Sequence, residues 1–312
     1  MKILIPVDKS KNCTFALTFA ASLAAVSSKS LQIEIVTVAD KILKKRGGFD
    51  PQQAFAEAGV DLPEVVQQPT EKFFNSALAH FKNVREGVKV KTKVLYGDHP
   101  SEAIAKEAKR FEADIIMMGA RGLSSLKSLL FGSVTSGVLA ECKIPVLVLR
   151  DKRTFESPQF HVAVAVDGSK ASLKGVKHIA EHRGLYKESE IVALTVSADV
   201  PDSVLKKLSG KTIPQDNPQE YFAQEIAKAQ KAEYEAAFKP VRKQIAGAKL
   251  ACKEVGLVGV NPARAIADFV KENGTDLLIL GSRGRGRFKS ALMGSTATNI
   301  AALTTVPLLI IR

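Results

Sequence analysis

Apolar residues in this chain come in short runs, each followed by a stretch of helical periodicity. Lys2 to Val7 is a short apolar strand ending at Asp8. Cys13 to Ala25 repeats apolar residues at helical spacing, with Ser10 or Asn12 available as its cap. Leu31 to Val38 reads as a strand, Glu71 to Val84 as a helix, Val88 to Tyr96 as an alternating strand and Pro100 to Arg110 as a helix opened by proline. Asp114 to Met118 is a continuous apolar strand running into Gly119, and Gly132 to Ala140 is a helix. Val146 to Leu149 is a last buried strand. The order then recurs. Strands are expected at His161 to Val166, Ile191 to Val196, Val255 to Val258, Leu277 to Leu280 and Leu308 to Ile311. Helices are expected at Ala171 to His182, Gln219 to Phe238, Pro262 to Lys271 and Gly294 to Ala302. Strands that are apolar throughout and alternate with helices imply a parallel sheet covered on both faces, a doubly wound α/β domain.

The recurrence is a duplication. Gly97 to Arg150 aligns without a gap onto Gly259 to Arg312, with Asp114 facing Asp276 and Pro145 facing Pro307. A period of about 160 residues is far longer than a solenoid repeat, so the copies are whole domains. The boundaries expected are 1–150 and 161–312, joined by the polar, proline-containing linker 151–160. That linker is short, so the copies are expected to pack together; a homodimer is a further option. The most specific shared pattern is G-x2-G-x9-G-S. It is Gly119-Ala-Arg-Gly122 with Gly132-Ser133 in the first copy, and Gly281-Ser-Arg-Gly284 with Gly294-Ser295 in the second.

This pattern suits a phosphate group. Ligands of open parallel sheets bind outside the carboxyl ends of the strands, where the strand order switches. Gly119 and Gly281 each end a buried strand there. Glycine supplies unusual dihedrals and clearance for inward-pointing amides. Gly132-Ser133 and Gly294-Ser295 open helices, whose first amides and positive dipole end favour an anion. Arg121 and Arg283 offer guanidinium groups to phosphate oxygens. Asp8 and Asp167 end the first strand of each copy. Such an aspartate either accepts from a ribose hydroxyl or an adenine amine, or forms an Asx turn; one residue can do both.

With 45 Lys and Arg against 32 Asp and Glu, the net charge is +13. The lysines are spread over both halves, and RNA-binding aromatic or zinc-finger spacing is missing. A solvated basic surface therefore outweighs nucleic-acid binding. No apolar run approaches the roughly 18 residues of a membrane span. The amino terminus lacks the character of a signal peptide. Cys13, Cys142 and Cys252 are scattered, as reduced thiols of a cytoplasmic protein would be. His178-Ile-Ala-Glu181-His182 fits the inverted zinc-protease pattern H-x-x-E-H, with both histidines on one helix face. The first copy has only apolar and small residues there, so a solvated helix face is the better expectation.

The doubled loop, the strands ending in Val-Asp, and the closing Pro-Val-Leu-Val-Leu-Arg150 and Pro-Leu-Leu-Ile-Ile-Arg312 together resemble the universal stress protein family in tandem form. The resemblance covers nearly the whole chain, least of all 40–70 and 199–218. It implies a five-stranded parallel sheet of order 3-2-1-4-5 in each copy, and ATP binding, which in this family accompanies the full glycine pattern. Gly119, Arg121, Gly122, Gly132 and Ser133 match that motif, as do Gly281, Arg283, Gly284, Gly294 and Ser295. Asp8 and Asp167 match the adenosine-contacting aspartate; Val38 and Val196 match the position whose backbone meets adenine. The first copy departs with Asp8-Lys9-Ser10 where the second has Asp167-Gly168-Ser169. The second loop is more basic, with Arg285, Arg287 and Lys289 beyond Arg283, so if one copy alone binds nucleotide the second is favoured.

The function expected is an ATP-binding stress-response switch or sensor, with Mg as a companion ion and a protein partner as its output. Hydrolysis is expected to be slow at most, since neither a general base nor a metal-binding carboxylate pair is visible near the loops. The alternatives are a nucleotide-dependent hydrolase or adenylyl-transferring enzyme, and a carrier or scaffold for another ligand such as a lipid or sugar nucleotide.

Overall fold

The structure, a computed structural model, describes residues 1–8, 10, 12–27, 30–39, 53–54, 57–58, 68–84, 86–120, 130–152, 154, 159–209, 216–282 and 293–312. The chain separates into two compact units, Met1–Pro158 and Gln159–Arg312. The first holds strands β1 (Lys2–Pro6), β2 (Leu31–Ala39), β3 (Val88–Tyr96), β4 (Ile115–Gly119) and β5 (Val146–Leu149). They pair in parallel in the order β3-β2-β1-β4-β5. Its described helices are α1 (Cys13–Val26), α2 (Gln68–Ala79), α3 (Pro100–Phe111) and α4 (Ser133–Glu141).

The second unit repeats the plan. β6 (His161–Ala165), β7 (Glu190–Ser197), β8 (Lys253–Val258), β9 (Leu277–Gly281) and β10 (Leu308–Ile311) pair in parallel as β8-β7-β6-β9-β10. Its described helices are α5 (Leu173–Glu181), α6 (Arg183–Tyr186), α7 (Asp202–Leu208), α8 (Pro218–Ala248), α9 (Pro262–Glu272) and α10 (Ser295–Leu303). Each unit is thus a doubly wound α/β fold.

The central strands explain the layering. Ile3, Leu4 and Ile5 of β1 are fully buried, so successive side chains fill both faces of the sheet. Each such side chain contributes about 1.5–3 kcal/mol relative to exposure. The duplicated aspartates tie the strand starts together. Lys2 donates its amide to Asp114 Oδ2 at 2.7 Å, and His161 donates to Asp276 Oδ2 at 2.9 Å. Those carboxylates thus set the register of each first strand against the fourth.

Beyond α6 and α7, which the periodicity does not predict, three features differ from it. α2 ends at Ala79, because His80 and Phe81 donate to Ala77 and Leu78 in tight three-residue turns that keep Phe81 buried. α8 does not stop at Phe238 but runs through Pro240 to Ala248. Val241, Ile245 and Ala248 continue its buried stripe, and that burial outweighs the one hydrogen bond a proline forfeits. The third difference is His178. It is not on a solvated face but only 3% exposed, its ring stacked on His182 at 4.3 Å and edge-on to Tyr186 at 6.1 Å. Its Nε2 has no hydrogen-bond partner among the described residues.

Burial, reinforced by His182, pushes the His178 pKa down to about 3. The unfolded chain, with an ordinary histidine pKa near 6.5, binds a proton between those values that the folded unit refuses. Stability therefore rises with pH across that window and is lost on acidification, by up to about 1.4 kcal/mol per pH unit. Denaturant titrations of wild type and His178→Phe between pH 4 and pH 7 are expected to show a shallower pH slope for the variant. Equal slopes would mean that the ring protonates without unfolding.

Candidate functional site

In each unit an aspartate two residues beyond the first strand organises the next turn. Asp8 Oδ1 accepts the Ser10 amide at 3.0 Å and also the Ser10 hydroxyl. Asp167 Oδ1 accepts the Ser169 amide at 2.9 Å. Both are Asx turns, in which the carboxylate stands in for a backbone carbonyl. Gly168, inside the second turn, has a φ of 78°, which glycine adopts without strain. Asn12 occupies the N-cap position of α1, yet its side chain makes no capping bond.

The first glycine of each loop packs against the start of the helix that follows this turn. A Cβ on Gly119 would lie 2.6 Å from the Asn12 carbonyl oxygen, and one on Gly281 would lie 2.7 Å from that of Ala171. Neither contact can be relieved by moving a side chain. Dihedral freedom is not the reason for these glycines: Gly119, Gly132, Gly281 and Gly294 all avoid positive φ. Clearance is the reason at Gly119 and Gly281.

Both loops also close in the same way. Ala120 donates its amide to Leu149 O at 2.7 Å, and Gly132 donates back to Ala120 O at 2.7 Å. Ser282 donates to Ile311 O at 2.7 Å, and Gly294 to Ser282 O at 2.7 Å. In the first unit Thr135 Oγ1 adds a bond to Gly119 O at 3.0 Å. Ala297 holds the matching position in the second and has no hydroxyl. Gly132 and Gly294 are the N-caps of α4 and α10, and neither helix start carries a side-chain cap. Ser133 and Ser295 are exposed in the first turn, where the leading amides lack intrahelical acceptors. Arg121, Gly122, Arg283 and Gly284 lie outside the described residues, as do Lys9, Arg285, Arg287 and Lys289.

In the first unit these pieces surround a cavity of about 150 Å³ at the carboxyl ends of β1, β2 and β4. Asp8, Val38 and Gly119 all line it. It lies where the strand order reverses about β1. Val36, Val38, Pro100, Ile104 and Met118 give apolar walls, while Asp8, Ser10, Thr37 and Thr135 supply polar groups. The mixture suits a flat, partly apolar ligand with a polar tail. Burial pushes the Cys13 thiol up to about 11, so this lining residue is a neutral donor at physiological pH and not a nucleophile. Thr37, Pro100, Ile104, Thr135 and Cys13 were not expected from the glycine pattern, because only the fold brings them to this edge. In the second unit Asp167 follows β6, Val196 lies on β7 opposite Leu257, and Gly281 ends β9. Among the described residues, no group of three or more His, Cys, Asp and Glu is arranged to hold a metal ion.

Two doubly wound units, each with its fourth-strand end bonded to the start of the next helix, define a tandem α/β protein. The universal stress protein family matches residues 1–150 and again 160–312. The chain belongs to that family. Universal stress protein MJ0577 of Methanocaldococcus jannaschii is 30% identical over 158 residues, covering 49% of this chain and 96% of that protein. Universal stress protein Rv2623 of Mycobacterium tuberculosis is 28% identical over 203 residues, covering 64% of this chain and 62% of its own length, so the match spans under two thirds of that relative. The crystal structure of a universal stress protein from Archaeoglobus fulgidus aligns over 100% of this chain and 96% of its own, with a TM-score of 0.63 and 20% identity. That likeness is one of fold.

The Gly119 and Gly281 contacts are directly testable. Gly119→Ala and Gly281→Ala are each expected to lower stability by about 1–3 kcal/mol, because backbone must move to admit the methyl group. Urea unfolding measures it, and an unchanged midpoint would show that these strand ends have more room than their geometry indicates.

Proposed function

We propose that each unit binds ATP between its aspartate turn and its glycine loop. The protein then serves the stress response as a nucleotide-dependent switch, with hydrolysis slow at most. One observation carries this reading: the first unit's cavity gathers Asp8, Val38 and Gly119 beside the uncapped first turn of α4. In this reading Asp8 and Asp167 accept from the ribose or the adenine amine, and the backbone at Val38 and Val196 meets the base. The triphosphate, free or as its Mg complex, is held by main-chain amides from Gly119, Gly122, Gly132 and Ser133, and from Gly281, Gly284, Gly294 and Ser295. Arg121 and Arg283 complement its charge. Asp8 is the one carboxylate among the described residues lining the cavity, and it is committed to its turn. That supports binding over phosphoryl transfer. The three free thiols suit a reducing compartment such as the cytoplasm.

Calorimetric titration of the full chain with ATP tests the proposal. Gly122→Val and Gly284→Val are each expected to weaken binding at their own unit by about tenfold or more, equivalent to about 1.4 kcal/mol. Loss of one site per substitution would assign occupancy to both units. A wild-type protein that releases no binding heat, and carries no nucleotide when denatured and examined by mass spectrometry, would exclude ATP as the ligand.

A further inference from the structure

Cys13 and Ser172 stand the same five residues after Asp8 and Asp167. Both are buried, at 6% and 5% exposure. The Cys13 thiol lies 2.9 Å from Asp8 O and 3.1 Å from Ser10 O, one S–H proton shared between two carbonyls of the turn. The Ser172 hydroxyl donates to Ser169 O at 3.0 Å and accepts the Asp167 amide at 3.2 Å. Ser172 in turn donates its own amide to Ser169 Oγ at 3.2 Å. In both units one small side chain therefore reaches the main chain of the aspartate and of the serine two residues on.

The peptide just before each of these side chains is the one that touches the loop glycine. The Asn12 carbonyl is what a Gly119 Cβ would strike, and the Ala171 carbonyl is what a Gly281 Cβ would strike. One side of the Asn12–Cys13 step thus holds the aspartate turn, and the other holds the strand end that opens the loop. The Ala171–Ser172 step repeats the arrangement with a different donor. The copies differ at many aligned positions, yet both keep a hydrogen-bond donor here. Cys13 additionally lines the first unit's cavity.

We propose that the Cys13 thiol and the Ser172 hydroxyl are positioning groups, each fixing its aspartate turn against the glycine that opens its loop. The consequence for ligand binding rests on the ATP reading above; the positioning itself does not. The donor matters and the sulfur does not, so Cys13→Ser preserves the arrangement while Cys13→Ala breaks it. Serine and alanine differ at this site by the donor alone, since both leave nearly the same space.

Two measurements on the full chain decide it. Amide hydrogen exchange, read by mass spectrometry without nucleotide, is expected to quicken about tenfold in the Asp8–Asn12 segment of Cys13→Ala and to stay within about twofold of wild type in Cys13→Ser. Ser172→Ala and Ser172→Cys are expected to behave likewise over Asp167–Ser172. Separately, in a Gly284→Val background that isolates the first unit, Cys13→Ala is expected to weaken ATP about tenfold and Cys13→Ser to change it by less than about twofold. Wild-type exchange in Cys13→Ala would overturn the proposal, as would a Cys13→Ser protein that exchanges as fast as Cys13→Ala. A lowered thermal midpoint with no change in local exchange would reduce Cys13 to packing. If the background protein binds no ATP, the nucleotide reading fails and the exchange result still decides the positioning role.

Discussion

Each unit turns on a point where two segments of backbone come within van der Waals contact and leave no space for a side chain. The end of the fourth strand presses its glycine against the peptide that starts the first helix: Gly119 against Asn12, Gly281 against Ala171. That approach brings the carboxyl ends of the first and fourth strands together. The aspartate turn and the glycine loop consequently share one edge of the sheet. Had Gly119 a Cβ, α1 would be pushed away and the cavity between β1, β2 and β4 would change shape.

Other constraints are arranged around this contact. At the opposite end of the strands, Asp114 and Asp276 accept the first amides of β1 and β6, so register is fixed from below by carboxylates. At the other end, main-chain bonds from Gly132 to Ala120 and from Gly294 to Ser282 join the described ends of the loops. The uncapped helix starts beside these bonds leave their leading amides as donors. This accounts for a site suited to an anionic tail on hydrophobic walls. Membership of the universal stress protein family is consistent with such an edge, while what occupies it is set by the side chains around it.

The two copies also show where duplication allowed change. Thr135 bonds the strand end in the first unit and Ala297 cannot in the second. Cys13 and Ser172 reach similar main-chain atoms with different chemistry. The second unit accepted a buried histidine, His178, where burial and the neighbouring His182 keep it neutral. It also carries α8, a 31-residue helix that continues past a proline. Across these changes both units keep the glycine contact and the aspartate turn.

Much of this was legible before any coordinates. Apolar runs alternating with helical stretches imply parallel strands, because a strand buried on both faces must be apolar at every position, and a repeated spacing of glycines exposes the duplication. Those are local properties, carried by neighbours in the chain. The extent of α8 was not legible, because Pro240 reads as a stop unless the burial of Val241 and Ile245 is known. Nor was the burial of His178, whose polar ring is covered by the aromatic partners the fold supplies. The reason for the glycines was likewise hidden. Spacing suggested unusual dihedrals and clearance for a ligand, whereas at Gly119 and Gly281 the space is taken by the backbone of Asn12 and Ala171. Side chains such as Thr37, Ile104 and Cys13 meet at one cavity only because three strand ends and three helix starts converge there. Chain order determines which elements form, and packing between distant segments decides which side chains face one another.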